Sequence, residues 1–348
     1  MDVTTGTVPL HPSRPGTRHG RFVLGEDPAV LPAARGRPAS LVRAFGPLAG
    51  LVADERVTDV FVNGGHGTWV DRGRGARPEP RVHLSEAAAR DLAVRLVALG
   101  GRHVDEASPC VDVRLGRGVR VHAVLPPVST SGTLLSVRLP RARSLDLAAL
   151  ADGGLFDDVG REGRDRVEGL VARRANLLVT GAGGAGKTTL LGALLGEADE
   201  GDRIVTVEDV AELVVRRPHV VSLEARQPNL EGAGGVDLTR LVREALRMRP
   251  DRLVVGECRG PEVRDLLAAL NTGHDGGAGT LHANGPADVP ARLEAVGAVA
   301  GLGPAAVARQ VVSAIDAVLH VERTPEGRRL AHLGRLRLDG DRLEAVPL

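Results

Sequence analysis

An α/β C-terminal domain with a smaller α+β N-terminal domain ahead of it is the fold that the sequence predicts, and three observations carry it. At 348 residues the chain exceeds what one hydrophobic core usually serves, so two domains are expected. Between residues 176 and 285, short apolar runs end in glycine or acidic residues, the pattern of an open α/β sheet whose ligand sits beyond the strand ends. Between about 41 and 140, period-two alternation (VTDVFVN, RVHAVLP, TLLSVRL) flanks one helical stretch, SEAAARDLAVRLVALG, which reads as antiparallel sheet with helices.

Taken in order, residues 1–40 are rich in Pro, Gly, Arg and Ser and read as a disordered tail available for tethering to a partner. The α+β domain follows over 41–140. Residues 141–160, with Pro140 at their start and Gly153-Gly154 inside, read as a linker carrying a short helix. The α/β domain occupies 161–348. In it Asn176 to Thr180 is a buried strand, Thr188 to Leu195 starts a helix, residues 286–316 are helical, and RRLAHLGRLRLDGDRLEAV closes the chain as a hairpin. No repeat of fixed period is present.

Composition excludes several function classes. Four Phe, one Trp and no Tyr leave too few rings for a base-stacking platform, and a net charge of +1 does not force an electropositive surface, so a nucleic-acid partner is not expected. Cys110 and Cys258 form no CxxC pair, which fits a reducing cytosol. The N-terminus lacks an apolar h-region, and apolar stretches are broken by Arg, Asp or Gly before spanning length, so a cytoplasmic or peripheral membrane protein is expected.

Every basic residue but Lys187 is Arg. A position that keeps Lys against such a bias needs a compact ammonium on a thin stem. Lys187 lies in NLLVTGAGGAGKTTLLGALL, where Gly181, Gly186, Lys187 and Thr188 complete G-x-x-x-x-G-K-[ST] between a strand and a helix. This is a P-loop. Its backbone N–H groups, with Gly181, Gly183, Gly184, Ala185 and Gly186 shaping the turn and Thr189 following, cradle phosphate at the positive end of the helix dipole. Lys187 reaches the β and γ oxygens, and Thr188 offers a hydroxyl to Mg²⁺. The predicted ligand is therefore ATP with Mg²⁺.

A nucleotide engine needs carboxylates to hold Mg²⁺ and to polarise water. RIVTVEDVAEL supplies Glu208, with Asp209 and Glu212 as turn or helix-start alternatives. DRLVVGECRG supplies Glu257, also a candidate for Mg²⁺. Which of Glu208 and Glu257 is the general base is left open. In NTGHDGGAGTLHANG, His274, Asp275 and His282 suggest a metal site, but the spacing matches no zinc motif. His282, at the end of a third short strand, reads instead as a neutral imidazole sensing the γ-phosphate.

The motif order GAGGAGKTT, RIVTVEDVAEL, LRMRPDRLVVGECRG, TGHDGGAGTLHANG resembles the type II/IV secretion ATPases, in particular the branch that drives Flp/Tad-type pilus assembly, where these are called Walker A, Asp box, Walker B and His box. The resemblance extends over roughly residues 50–340. It implies a P-loop NTPase of RecA-like fold, a homo-hexamer, and an inner-membrane platform protein as partner at the inner face of the cytoplasmic membrane. It also implies that Arg120 and Arg138 reach from the N-terminal domain toward the nucleotide's phosphates. Gly256 stands where many P-loop enzymes carry an Mg²⁺-binding Asp, His122 where Asn is expected, and no tetracysteine insert is present, which disfavours the extracellular-enzyme secretion branch. Competing readings are a nucleic-acid translocase and a nucleotide-dependent scaffold that hardly hydrolyses.

Overall fold

The computed structural model describes residue 1 and residues 37–116, 118–139, 145–226 and 233–348. The tail expected over 1–40 lies outside the described residues except for residue 1 and residues 37–40. Two short helices, α1 (Ala39–Ala44) and α2 (Ala49–Ala53), precede strands β1 (Asp59–Asn63), β2 (Thr68–Asp71) and β3 (Ala76–Pro78). Helix α3 (Glu86–Leu99) follows, then β4 (Cys110–Leu115), β5 (Val119–Val124) and β6 (Leu134–Arg138). Ser85 caps α3 by accepting the Ala88 N–H, so the helix starts where the sequence offers a hydroxyl.

The first six strands form one sheet in the order β3-β2-β1-β6-β5-β4, antiparallel throughout. Alternation decides its faces. On β5, Val119, Val121 and Ala123 are buried under α3, whose Ala89, Leu92, Ala93, Leu96 and Val97 recur at helical spacing and are also buried. The opposite face carries a row of arginines. Arg114 on β4 pairs in register with Arg120 on β5, which pairs with Arg138 on β6.

After α4 (Leu147–Asp152) and α5 (Gly160–Ala172), β7 (Leu177–Gly181) leads into α6 (Lys187–Gly196). Then come β8 (Ile204–Glu208), β9 (Val220–Glu224), α7 (Leu238–Leu246), β10 (Arg252–Val255), α8 (Glu262–Leu270) and β11 (Ala278–His282). Helices α9 (Val289–Val299) and α10 (Pro304–Ala314) precede β12 (Ala317–Arg323), β13 (Arg328–Asp339) and β14 (Arg342–Pro347). The eight strands run in the order β14-β13-β12-β7-β11-β10-β8-β9. All pairs from β12 to β9 are parallel, and β13 and β14 add an antiparallel edge.

A mostly parallel sheet must be covered on both faces. One cover is made by α4, α5 and α6, where Leu147, Leu155, Phe156, Leu170, Leu190 and Leu194 are buried. The segment expected as a linker therefore carries the short helix α4 and also contributes Leu147, Leu155 and Phe156 to this core. The other cover is made by α7 to α10. Among the described residues no single helix is long and apolar enough to cross a membrane. Pro286–Val299 and Pro304–Ala314 reach that length together, but they are bent by 114° and bury Val289, Leu293, Val296, Val307 and Val311 in the protein.

Candidate active site

Parallel strands β7, β11, β10 and β8 all point their carboxyl ends to one edge, and each candidate side chain follows from that fact. At β7 the chain turns through Gly181 to Gly186 into α6. Gly186 caps the helix at φ +106°, a left-handed conformation that only glycine adopts without strain. The cradle is built from backbone: Ala185 is buried, Gly183 and Gly184 are exposed, Thr188 is half-buried and Thr189 exposed. The helix behind it is packed through Leu190, Leu191, Leu194 and Leu195, so the positive end of its dipole is fixed toward the loop.

Lys187 is buried and folds over this loop. Its Nζ donates to the carbonyls of Gly181 and Ala182, each at 3.0 Å, and lies 3.3 Å from His282 Nε2. His282 stands opposite Gly181 in the β7–β11 register, and the same Nε2 is 3.3 Å from Glu257 Oε1. One imidazole thus stands between an ammonium and a carboxylate. Burial, and then the Lys187 charge, push the His282 pKa below its ordinary value, which keeps the ring neutral. Burial likewise lowers the Lys187 pKa, with the Glu257 charge opposing.

The metal reading of the histidine cluster meets a geometric obstacle. His274 and Asp275 precede β11 whereas His282 ends it. Four strand residues, Ala278–Leu281, lie between them, about 13 Å at roughly 3.3 Å per residue.

Glu208 is placed differently from Glu257. It ends β8, is 4% exposed, and its Oε1 accepts the backbone N–H groups of Glu212 and Leu213, both at 3.0 Å. Its Oε2 is buried with no hydrogen-bond partner. Burial raises its pKa to about 7 against the pull of those two N–H groups. This explains Gly256. A Cβ at that position would sit 2.5 Å from Glu208 Cγ, so the space an aspartate would need is filled by the neighbouring strand's glutamate.

Arg120 and Arg138 meet the chain at Glu212. Arg120 Nη1 lies 4.0 Å from Glu212 Oε1 and Arg138 Nη2 lies 3.9 Å from Oε2. Like charges directly opposed across a strand pair repel, and Glu212 supplies the anion between them. Arg114 completes the row: its Nη2 donates to the Ala211 carbonyl at 2.7 Å and its Nη1 pairs with Glu224. The structure therefore brings together the P-loop, Lys187, His282 and Glu257. A second group, Glu208, Glu212, Arg120 and Arg138, is gathered around residues 208–213. Asp209 turns away to pair with Arg259 at 2.6 Å.

Sequence reasoning missed Arg114 and Arg328. Arg114 is one of three arginines in register, and only the β4–β5–β6 pairing singles it out. Arg328 opens β13 and donates from Nη2 to the Gly184 carbonyl of the P-loop at 3.4 Å. Its only signal was the EGRR turn of a terminal hairpin, 144 residues from Gly184.

The chain is similar in sequence and in fold to known proteins. The family described as Type II/IV secretion system protein matches residues 43–329. A putative conjugal transfer protein of Mycobacterium tuberculosis is 51% identical over 308 residues, 86% of this chain and 87% of that protein. A probable conjugal transfer protein, TrbB, of Sinorhizobium fredii is 30% identical over 83% of this chain and 89% of its own length. The ATPase DotB of Legionella pneumophila shares the fold, with a TM-score of 0.55 at 21% identity over 82% of this chain and 78% of that one.

Proposed function

This chain belongs to the Type II/IV secretion system protein family and is a P-loop ATPase, and we propose that it is the hexameric motor of a Flp/Tad-type pilus assembly or related secretion machine. The observation that carries the proposal is the corner formed by Lys187, His282 and Glu257 against a glycine-rich loop at a helix N-terminus. The Flp/Tad assignment rests on the four motif sequences. The conjugal transfer names of its relatives support a secretion or transfer machine as the setting.

In this reading the loop from Gly181 to Thr189 binds the phosphates and Lys187 exchanges its two carbonyl contacts for phosphate oxygens. The donor set fits Mg²⁺ as well: the Thr188 hydroxyl, in the first turn of α6, and the Glu257 carboxylate, just beyond β10, are hard oxygen donors that would hold the ion, and Mg²⁺ when bound would neutralise charge on the phosphates. Glu257, in contact with His282, polarises the attacking water. His282, held neutral, hydrogen-bonds the terminal phosphate or that water and reports its loss. Glu208 acts at one remove, holding residues 212 and 213 so that Glu212 faces the arginine pair. Arg120 and Arg138 then move from Glu212 to the terminal phosphate, closing the N-terminal domain over the nucleotide, and hydrolysis releases it. A partner in the membrane converts that closure into movement.

Lys187→Arg tests the cradle, because a guanidinium keeps the charge but is too broad for the loop. Turnover should be lost; near-normal hydrolysis in that variant would sink the assignment. His282→Ala should leave ADP affinity within a few-fold and reduce turnover about a hundredfold or more, the scale of a positioned proton-transfer group.

A further inference from the structure

The β12–β13 hairpin brings to the P-loop a charged side chain that the motifs do not include. Arg328 Nη2 reaches the Gly184 carbonyl, and the stem crosses Gly186 so closely that a Cβ there would lie 2.7 Å from Arg328 Cδ. The strand that carries it is firmly anchored on both sides. Leu330, on the same strand face two residues on, is fully buried in the core that packs α6, and its N–H donates to the Leu155 carbonyl at 2.7 Å. Arg329, on the other face, donates to the Gly154 carbonyl at 3.2 Å and pairs with Asp157. Strand β12 is held against β7 up to the His320↔Thr180 pair, where Thr180 Oγ1 and His320 Nδ1 are 2.8 Å apart.

The two flanks of β7 are chemically different. On the β11 flank stand His282, in contact with Lys187, and Glu257, in contact with His282, so that flank takes the terminal phosphate in the proposed mechanism. On the β12 flank stands Arg328. A phosphate chain with its β-phosphate in the loop and its terminal phosphate at His282 must leave toward the other flank. We propose that Arg328 is a nucleotide-binding residue that takes the α-phosphate, exchanging its contact with the Gly184 carbonyl for a forked contact with two phosphate oxygens. The proposal rests on the P-loop reading of this site. The α-phosphate does not react, so Arg328 stabilises ground state and transition state alike.

The test uses the full chain, with ADP affinity by calorimetry, ATP turnover, and inhibition by pyrophosphate, which fills the loop without a nucleoside-linked phosphate. Arg328→Ala should weaken ADP and raise KM for ATP about tenfold while kcat and pyrophosphate inhibition stay within about twofold. Arg328→Lys should recover part of the ADP affinity. ADP affinity within twofold of wild type in Arg328→Ala would overturn the proposal, leaving Arg328 a packing residue. Equal losses for ADP and pyrophosphate would also overturn it, because Arg328 would then hold the loop's shape and not read the α-phosphate. Lys187→Ala that still binds ADP would overturn the P-loop reading itself, an outcome independent of Arg328.

Discussion

Glu208 illustrates how a residue's surroundings set its chemistry. Its carboxyl is buried, half of it satisfied by two N–H groups and half unpartnered, and its pKa rises to about 7 from an ordinary 4.5. A raised pKa means that the folded protein binds the proton more tightly than the unfolded chain. The stability linked to this group is therefore fully present below pH 4.5 and is lost as pH rises through about 7. At about 1.4 kcal/mol per pH unit the loss is of order 3 kcal/mol. Glu208→Gln should remove this slope, so that denaturant midpoints between pH 5 and 8 flatten relative to wild type; an unchanged slope would show that the carboxyl is hydrated. Gln also keeps an oxygen for the Glu212 and Leu213 N–H groups, so the local fold should survive.

Among the elements, the opposite edge of the eight-stranded sheet is held by a network of buried charge. Arg252, at the start of β10, is 3% exposed, and its Nε donates to Asp202 Oδ2 at 2.6 Å. Its Nη2 donates to the Val171 carbonyl at the end of α5, and Arg174 adds a second contact to Asp202 at 3.1 Å. This network ties α5 to the leading ends of β8 and β10. Without Arg252 the buried Asp202 carboxylate keeps only the partly exposed Arg174, so Arg252→Met should destabilise by about 3 kcal/mol, measured by chemical unfolding. Arg252→Met combined with Asp202→Leu should recover much of that loss. Both variants should retain ATP turnover at a temperature where they are folded, since the network lies a strand's length from the P-loop.

At the scale of the whole molecule the two sheets meet through the arginine row and residues 208–213. Arg114 fixes the Ala211 carbonyl and Glu224, while Arg120 and Arg138 share Glu212. The contacts of Arg120 and Arg138, at 4.0 and 3.9 Å, are loose enough to exchange for a phosphate. Arg120→Ala and Arg138→Ala should each retain ADP binding and lose hydrolysis together with ATP-dependent closure. Domain-labelled fluorescence with a non-hydrolysable analogue reads this, and closure equal to wild type in both variants would reduce them to surface charges. In the proposed hexamer, a site completed between neighbouring subunits would make nucleotide favour the closed ring. Light scattering with saturating ATP should show a hexamer, and a fully active monomer would contradict it.

Most of the strand ends that form the site were legible because each is local. Apolar runs ending in Gly181, Glu208, Gly256-Glu257 and His282 need only a few consecutive residues to be seen, and parallel strands in one sheet carry such ends to one edge. Antiparallel alternation marked β1, β5 and β6 for the same reason, since burial on one face writes itself into every second residue. What chain order could not show is which strands are neighbours. The insertion of β12 beside β7, which brings Arg328 to Gly184, depends on pairing across more than a hundred residues. The same holds for Glu208 filling the space beside Gly256, and for three arginines aligned on Ala211 and Glu212 after β8 and on Glu224 of β9. The sequence by itself determined the phosphate loop, its lysine and the carboxylates and imidazole available to it, because each is written in adjacent residues. Only the tertiary structure decided which carboxylate meets the imidazole, which one is buried, and which arginine stands over the loop, because distances between side chains on different strands are set by register and packing.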